Sequence, residues 1–307
     1  MSDAPLAFDG VTIRFGGREL LDGVTLSLPR GSVYALLGRN GAGKTSLVRC
    51  ALGLRPADAG EVRLFGAEAV AGRARAMARI GVVPEEPDAP AEMTADALVH
   101  FCSRLYPAWD PAGVSNRLER LGVPRRVPFG RMSKGEKGSV LFALALGASP
   151  DLLVLDDPTL GLDLVARREL YEELVGELAD RGTTVFLTTH DLAGIEGIAT
   201  HVGILAGGRL VLDEDLETLK ARFRRITYAN DVTESRAEYG TELDLFDAAR
   251  VRVRGWGVEA VVTNFDEERF ERFRVQEGVR GASADSLPLE EIFLAIAGPR
   301  GEGRAAP

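Results

Sequence analysis

Apolar residues alternate at Leu6, Phe8, Val11 and Ile13, and after Phe15-Gly16-Gly17 the stretch Leu20 to Leu28 returns to a strand-like pattern. Such alternation predicts half-buried strands, so the chain opens β-rich. The continuous run Val33-Tyr34-Ala35-Leu36-Leu37 predicts a strand covered on both faces, and Ser46 to Leu52 has helical spacing. Glu61 to Phe65 reads as a strand with a turn at Gly66, Arg73 to Arg79 as a short helix, and Ile80 to Val83 as a strand ending in Pro84-Glu85-Glu86-Pro87. Thr94 looks like a helix cap for Ala95 to Tyr106. Pro107 and Asp110-Pro111 break that helix, Val114 to Leu121 resumes the spacing, and Val140 to Ala148 forms a further apolar helix. Residues 92–148 therefore read as a helical insertion. Leu152 to Leu155 predicts a buried strand, 164–181 a long helix, Thr183 to Leu187 another strand, and Val202 to Leu212 a hairpin about Gly207-Gly208.

From about residue 222 the texture changes. Arg222 to Arg225 is a basic cluster, Ile226 to Tyr228 predicts a strand, and Arg250 to Arg254 alternates Arg and Val as half-buried strands do. Val258 to Thr263 is its expected partner, Asp266 to Arg274 and Pro288 to Ala297 have helical spacing, and Gly298 to Pro307 predicts a disordered polar tail. The pattern predicts an α/β domain over 1–220 and a small α+β appendage over 221–307, with no catalytic constellation in the appendage.

The chemistry gathers where strands end. Gly38 to Thr45, GRNGAGKT, lies between the buried strand at Val33 and the helix at Ser46, the context a phosphate-binding loop requires. Its glycines, Gly38, Gly41 and Gly43, let consecutive N–H groups turn inward around phosphate oxygens, helped by the positive helix N-terminus. Lys44 would reach the β- and γ-phosphates and the Thr45 hydroxyl would bind Mg²⁺. Phe15 offers either a flat face for an adenine or a strand-end core aromatic. Asp156, directly after four large apolar residues, is the expected Mg²⁺ partner, with Asp157 following at the sheet edge. Glu85 follows a strand at the edge where doubly wound sheets gather ligands, or is a solvated charge in a proline loop; a lone His is usually structural, but His190, after a parallel strand, is better placed for phosphate chemistry. Ser133 to Lys137, at the start of an apolar helix, offers a second anion site or a plain N-cap.

Composition narrows the class. A net charge of −9 argues against a general grip on nucleic acid, and the apolar share of 45% suits two globular domains in 307 residues. The longest apolar runs stop short of the roughly 20 residues that cross a bilayer. The N-terminus lacks the pattern of a secretory signal, and the two cysteines, Cys50 and Cys102, have no metal-ligand spacing and are expected to be buried thiols in a reducing cytoplasm.

The order of these motifs (phosphate loop, Pro84-Glu85 turn, Ser133-Lys134-Gly135-Glu136, Asp156-Asp157, Gly161-Leu162-Asp163, His190) resembles an ABC-type ATPase over about residues 5–215. Tyr106 to Asp110, the SKG form of the signature and residues 288–298 look most like the ATPase subunits of bacterial ABC exporters. The resemblance implies a P-loop NTPase core with an antiparallel β subdomain and a helical insertion. It further implies a cytoplasmic subunit, peripheral at the inner face of the membrane, that forms a head-to-tail homodimer or pairs with another ATPase subunit and drives a separate transmembrane permease. ATP and Mg²⁺ would lie between Gly38, Arg39, Asn40, Gly41, Ala42, Gly43, Lys44, Thr45 and Ser46 of one subunit and Ser133, Gly135 and Glu136 of the other. Phe15 would stack on adenine, Asp163 would lie at the interface, His190 would contact the γ-phosphate, and Thr45, Glu85 and Asp156 would serve the metal. Three positions depart from the family pattern: Glu85 where Gln is usual, Lys134 in place of a glycine, and Asp157 in place of the catalytic Glu. Asp keeps the carboxylate on a shorter stem, which predicts slower hydrolysis with nucleotide binding nearly intact.

Overall fold

The computed structural model describes residues 4–106, 108–230, 246–276 and 278–298. The break expected at Pro107 and the polar tail beyond Gly298 lie outside the described residues. The chain divides into two compact units, Met1–Asp213 and Glu214–Pro307.

In the first unit, β1 (Leu6–Phe15), β2 (Arg18–Ser27), β4 (Ala59–Leu64) and β5 (Ala67–Glu68) form an antiparallel sheet in the order β2-β1-β4-β5. A second sheet has the order β10-β9-β3-β8-β7-β6, built from β3 (Val33–Gly38), β6 (Ile80–Val83), β7 (Leu152–Asp156), β8 (Thr184–Thr189), β9 (His201–Ala206) and β10 (Arg209–Asp215). Its pairs from β9 through β3, β8 and β7 to β6 are parallel. Every residue of β3, β7 and β8 is buried, which is why these segments read as unbroken apolar runs. One core joins the two sheets: Phe186 of β8 lies 6.1 Å, centroid to centroid, from Phe8 of β1 and from Tyr34 of β3. Leu47 and Val48 of α1 (Lys44–Ala51) pack into the same cluster.

The short α2 (Arg73–Ala76) precedes β6, and the insertion contributes α3 (Ala95–Ser103), α4 (Pro111–Arg120) and α5 (Lys134–Gly147). Thr94 caps α3 by accepting from the Ala97 N–H at 3.2 Å. That helix ends at Ser103 rather than Tyr106, because its last turn tightens into Arg104→Phe101 and Leu105→Cys102 bonds. Asp110-Pro111 starts α4 instead of merely breaking a pattern: Asp110 accepts from Gly113 N–H at 2.9 Å, and Pro111 takes the first-turn position where a missing N–H costs nothing. α5 begins at Lys134, ahead of the apolar stretch expected from Val140, because its first turn is held by polar capping. Arg117 of α4, 11% exposed, pairs with Glu173 and Glu177 of α6 (Leu164–Arg181) and so pins the insertion to the core. The single-turn α7 (Leu192–Ile195) follows β8.

The second unit opens with α8 (Leu216–Arg222), capped by Asp215. Its antiparallel sheet, β12-β13-β11-β14, comprises β11 (Arg224–Asn230), β12 (Ala248–Arg254), β13 (Gly257–Val262) and β14 (Val279–Ser286), with α9 (Glu267–Phe273) and α10 (Leu289–Ala297). Ile226, Tyr228, Val258, Ala260, Val262, Phe270 and Phe273 build its core. The alternation of Arg250 to Arg254 does not mark a half-buried strand. β12 is a sheet edge, it reaches the core only through Ala248, and Val251 and Val253 remain 41% and 50% exposed.

Candidate active site

Parallel register brings the chemistry to one edge. Leu37 pairs with Thr189, Asp156 with Thr188, and Val83 with Leu155, so Gly38, His190, Asp157 and Pro84 all leave the sheet at the carboxyl ends of neighbouring strands. The loop from Arg39 through Asn40, Gly41 and Ala42 turns on an Ala42 N–H to Arg39 carbonyl bond of 3.0 Å and enters α1, where Thr45 and Ser46 sit in the first turn. Gly43 has φ 101°, which disfavours a side chain, and a Cβ there would stand 2.6 Å from Leu21 Cδ2, so Leu21 would have to shift. At Gly38, a Cβ would meet the Leu205 carbonyl at 2.9 Å.

Lys44 Nζ donates to the Gly38 carbonyl at 2.7 Å. Burial pulls its ammonium below the usual lysine range, against the opposing pull of Asp157, Asp156 and Glu85. One cation thus feels the charge of three carboxylates. Thr45 Oγ1 lies 3.4 Å from Glu85 Oε2, and the buried Asp156 accepts a short hydrogen bond from the Thr188 hydroxyl. Thr188 was not legible as a functional residue, although two threonines directly after the apolar Val185-Phe186-Leu187 were the available signal.

Asp157 adopts the left-handed region, φ 50°, which Asp tolerates better than most residues. Its N–H donates to the Thr188 carbonyl at 2.9 Å, its Oδ2 lies 2.6 Å from His190 Nδ1, and its Oδ1 is buried without a hydrogen-bond partner among the described residues. The turn carrying His190 is fixed from α6: Tyr171 donates to Asp191 Oδ2 at 3.0 Å while Asp191 caps α7.

Phe15 is 69% exposed, which excludes its reading as a core aromatic, and the Arg55 guanidinium stands 5.3 Å from its ring centroid. Ser133, Gly135 and Glu136 lie apart from the Lys44 cluster in sequence, at the start of α5. Ser133 Oγ accepts from the Glu136 N–H at 3.2 Å while Glu136 Oε2 accepts from the Ser133 N–H at 2.7 Å, a reciprocal capping box. Asp163 caps α6 through the Ala166 N–H at 2.9 Å.

A strand, a glycine loop and a helix, with two acids at the end of the buried β7 and a histidine just past β8, the strand between β7 and β3, define a phosphate-loop nucleotide-binding cassette. Comparison with known proteins is more specific. The ABC transporter family matches residues 21–160. The ABC transporter ATP-binding protein YtrB of Bacillus subtilis is 29% identical over 91% of this chain and 93% of its own length. The Nod factor export ATP-binding protein I of Burkholderia orbicola is 36% identical over 69% of this chain and 71% of its own, and the zinc import ATP-binding protein ZnuC of Pseudomonas putida is 38% identical over 62% and 71%. A solved ATP-binding subunit of an ABC transporter superposes with a TM-score of 0.64 at 26% identity, covering 71% of this chain and 92% of that one. The chain belongs to the ATP-binding proteins of ABC transporters. It binds ATP and is an ATPase of a transport system. Among the described residues no helix is long and apolar enough to cross a membrane.

Proposed function

We propose that this chain is the motor subunit of an exporter: two copies, or this chain and a paired ATPase subunit, close on ATP, and the closure drives a separate transmembrane permease at the cytoplasmic face of the membrane. The observation that carries the reading is the convergence of Lys44, Glu85, Asp156, Asp157 and His190 at one sheet edge. Export rather than import rests on the resemblance of the Tyr106 to Asp110, Ser133 to Glu136 and 288–298 segments to exporter subunits, together with the export relative.

In this reading the N–H groups of Gly41 to Thr45 hold phosphate oxygens, Lys44 leaves the Gly38 carbonyl to neutralise the β- and γ-phosphates, and Phe15 supports the base. Thr45, Glu85 and Asp156 form an all-oxygen donor set that suits Mg²⁺, and the Thr188 hydroxyl fixes the orientation of Asp156. Bound Mg²⁺ would supply charge neutralisation at the phosphates. Asp157 orients the attacking water and accepts its proton; its Oδ2 now carries the His190 contact and its Oδ1 is buried, so the carboxylate would turn from His190 to meet that water. His190 is 53% exposed and stands ready for the γ-phosphate. Ser133, Gly135 and Glu136 would meet that phosphate from the other subunit. Residues 221–307 would act as an accessory domain that regulates or stabilises the dimer.

A second reading, an ATP-gated assembly switch without a membrane partner, draws on the short Asp157 stem and its tie to His190. Purification from membranes separates the two. Co-purification with an integral membrane protein and Mg²⁺-dependent ATP turnover are expected; a soluble complex lacking any membrane protein would sink the transport reading. Turnover that rises about tenfold to a thousandfold in Asp157→Glu is the expected measure of how far the shorter stem slows the step.

A further inference from the structure

Lys134, the residue that replaces a glycine of the family pattern, reaches two other segments of the first unit. Its stem lies along the Gly161 turn: a Cβ built on Gly161 would stand 3.5 Å from Lys134 Cβ and 3.6 Å from its Cγ. Beyond the stem, Nζ pairs with Glu86 Oε1 at 2.9 Å. Glu86 directly follows Glu85, whose carboxylate stands 3.4 Å from the Thr45 hydroxyl. The next residue is equally constrained, because a Cβ on Gly135 would meet the Gly161 carbonyl at 2.8 Å. The first turn of α5 is therefore seated on the Gly161-Leu162-Asp163 turn and tethered to the Glu85-Glu86 turn. A glycine at residue 134 would make neither the stem contact nor the ion pair.

We propose that Lys134 is a positioning residue that couples the Glu85 arm to the Ser133 segment, so that nucleotide binding at the phosphate loop moves the start of α5 through the Glu86–Lys134 pair. This rests on the site proposed above and adds an intramolecular link to it. The pair suits signalling better than stability. Glu86 is 84% exposed, and an ion pair so open to water contributes little to folding and weakens with salt. A bias of that size is enough to shift a balanced two-state element about threefold to fivefold.

The test uses the full chain and hydrogen exchange at residues 133–136 with and without Mg²⁺ and ATP, alongside nucleotide affinity. In the wild type, ATP is expected to change exchange at these amides at low ionic strength. Glu86→Gln and Lys134→Gln are each expected to cut that response about threefold to fivefold with affinity unchanged. Lys134→Arg and the exchange Glu86→Lys with Lys134→Glu should restore it, and high salt should erase the wild-type advantage. Equal responses in the wild type and both single variants, or a charge exchange that fails to restore the response, would overturn the link while leaving nucleotide binding intact. A wild type that binds no ATP would instead remove the site on which the link depends, and the inference with it.

Discussion

The two helix starts that meet phosphate in the proposed cycle are finished in opposite ways. α1 begins behind Gly43, with no side-chain cap, so its first N–H groups are left for a ligand. α5 begins behind Ser133, whose hydroxyl and Glu136 carboxylate cap each other's backbone. The first start is an incomplete structure that phosphate would complete, backed by the half-buried Lys44. The second is capped at the Ser133 and Glu136 N–H groups before any ligand arrives. In the proposed cycle that difference would make nucleotide settle first where backbone donors are open, and the α5 start would join only when a phosphate arrives from outside.

The comparison breaks most severely at Lys44. Lys44→Ala removes the cation on which three carboxylates act, and ATP turnover is expected to fall by more than about a thousandfold, read by steady-state phosphate release. Retention of wild-type turnover would detach the α1 start from the chemistry. Gly43→Ala comes next. The added methyl collides with Leu21 in a backbone region that alanine resists, so a destabilisation of about 1–3 kcal/mol is expected in urea unfolding, with ATP binding weakened about a hundredfold. The smallest effect belongs to the capped start: Ser133→Ala should cost about 1 kcal/mol in the same unfolding experiment and leave ATP affinity of the single subunit unchanged. If Ser133→Ala weakened that affinity as much as Gly43→Ala, the two starts would not be separate half-sites.

Contiguous sequence determined the phosphate loop, because a buried strand, three glycines and a helix in succession leave few other structures for that segment. The alternating runs β1 and β2, the buried β3, β7 and β8 and the long α6 were legible for the same reason: period and burial are local. Polar elements were not. β14 carries only one large apolar residue, Val279, and α8 is a short helix held by an Asp215 cap, so neither produces a strong periodic signal. β12 misled in the other direction, since period two reports side-chain alternation and says nothing about whether a neighbouring layer covers the face.

Tertiary structure alone decided which side chains meet. The Thr188 bond to Asp156, the His190 contact with Asp157 and the Lys134 pair with Glu86 join residues 32, 33 and 48 positions apart in the chain. Sequence placed each of these groups after a strand or at a helix start. Their partners follow from parallel register and from where the insertion is pinned, and those depend on packing between distant segments rather than on the residues beside them.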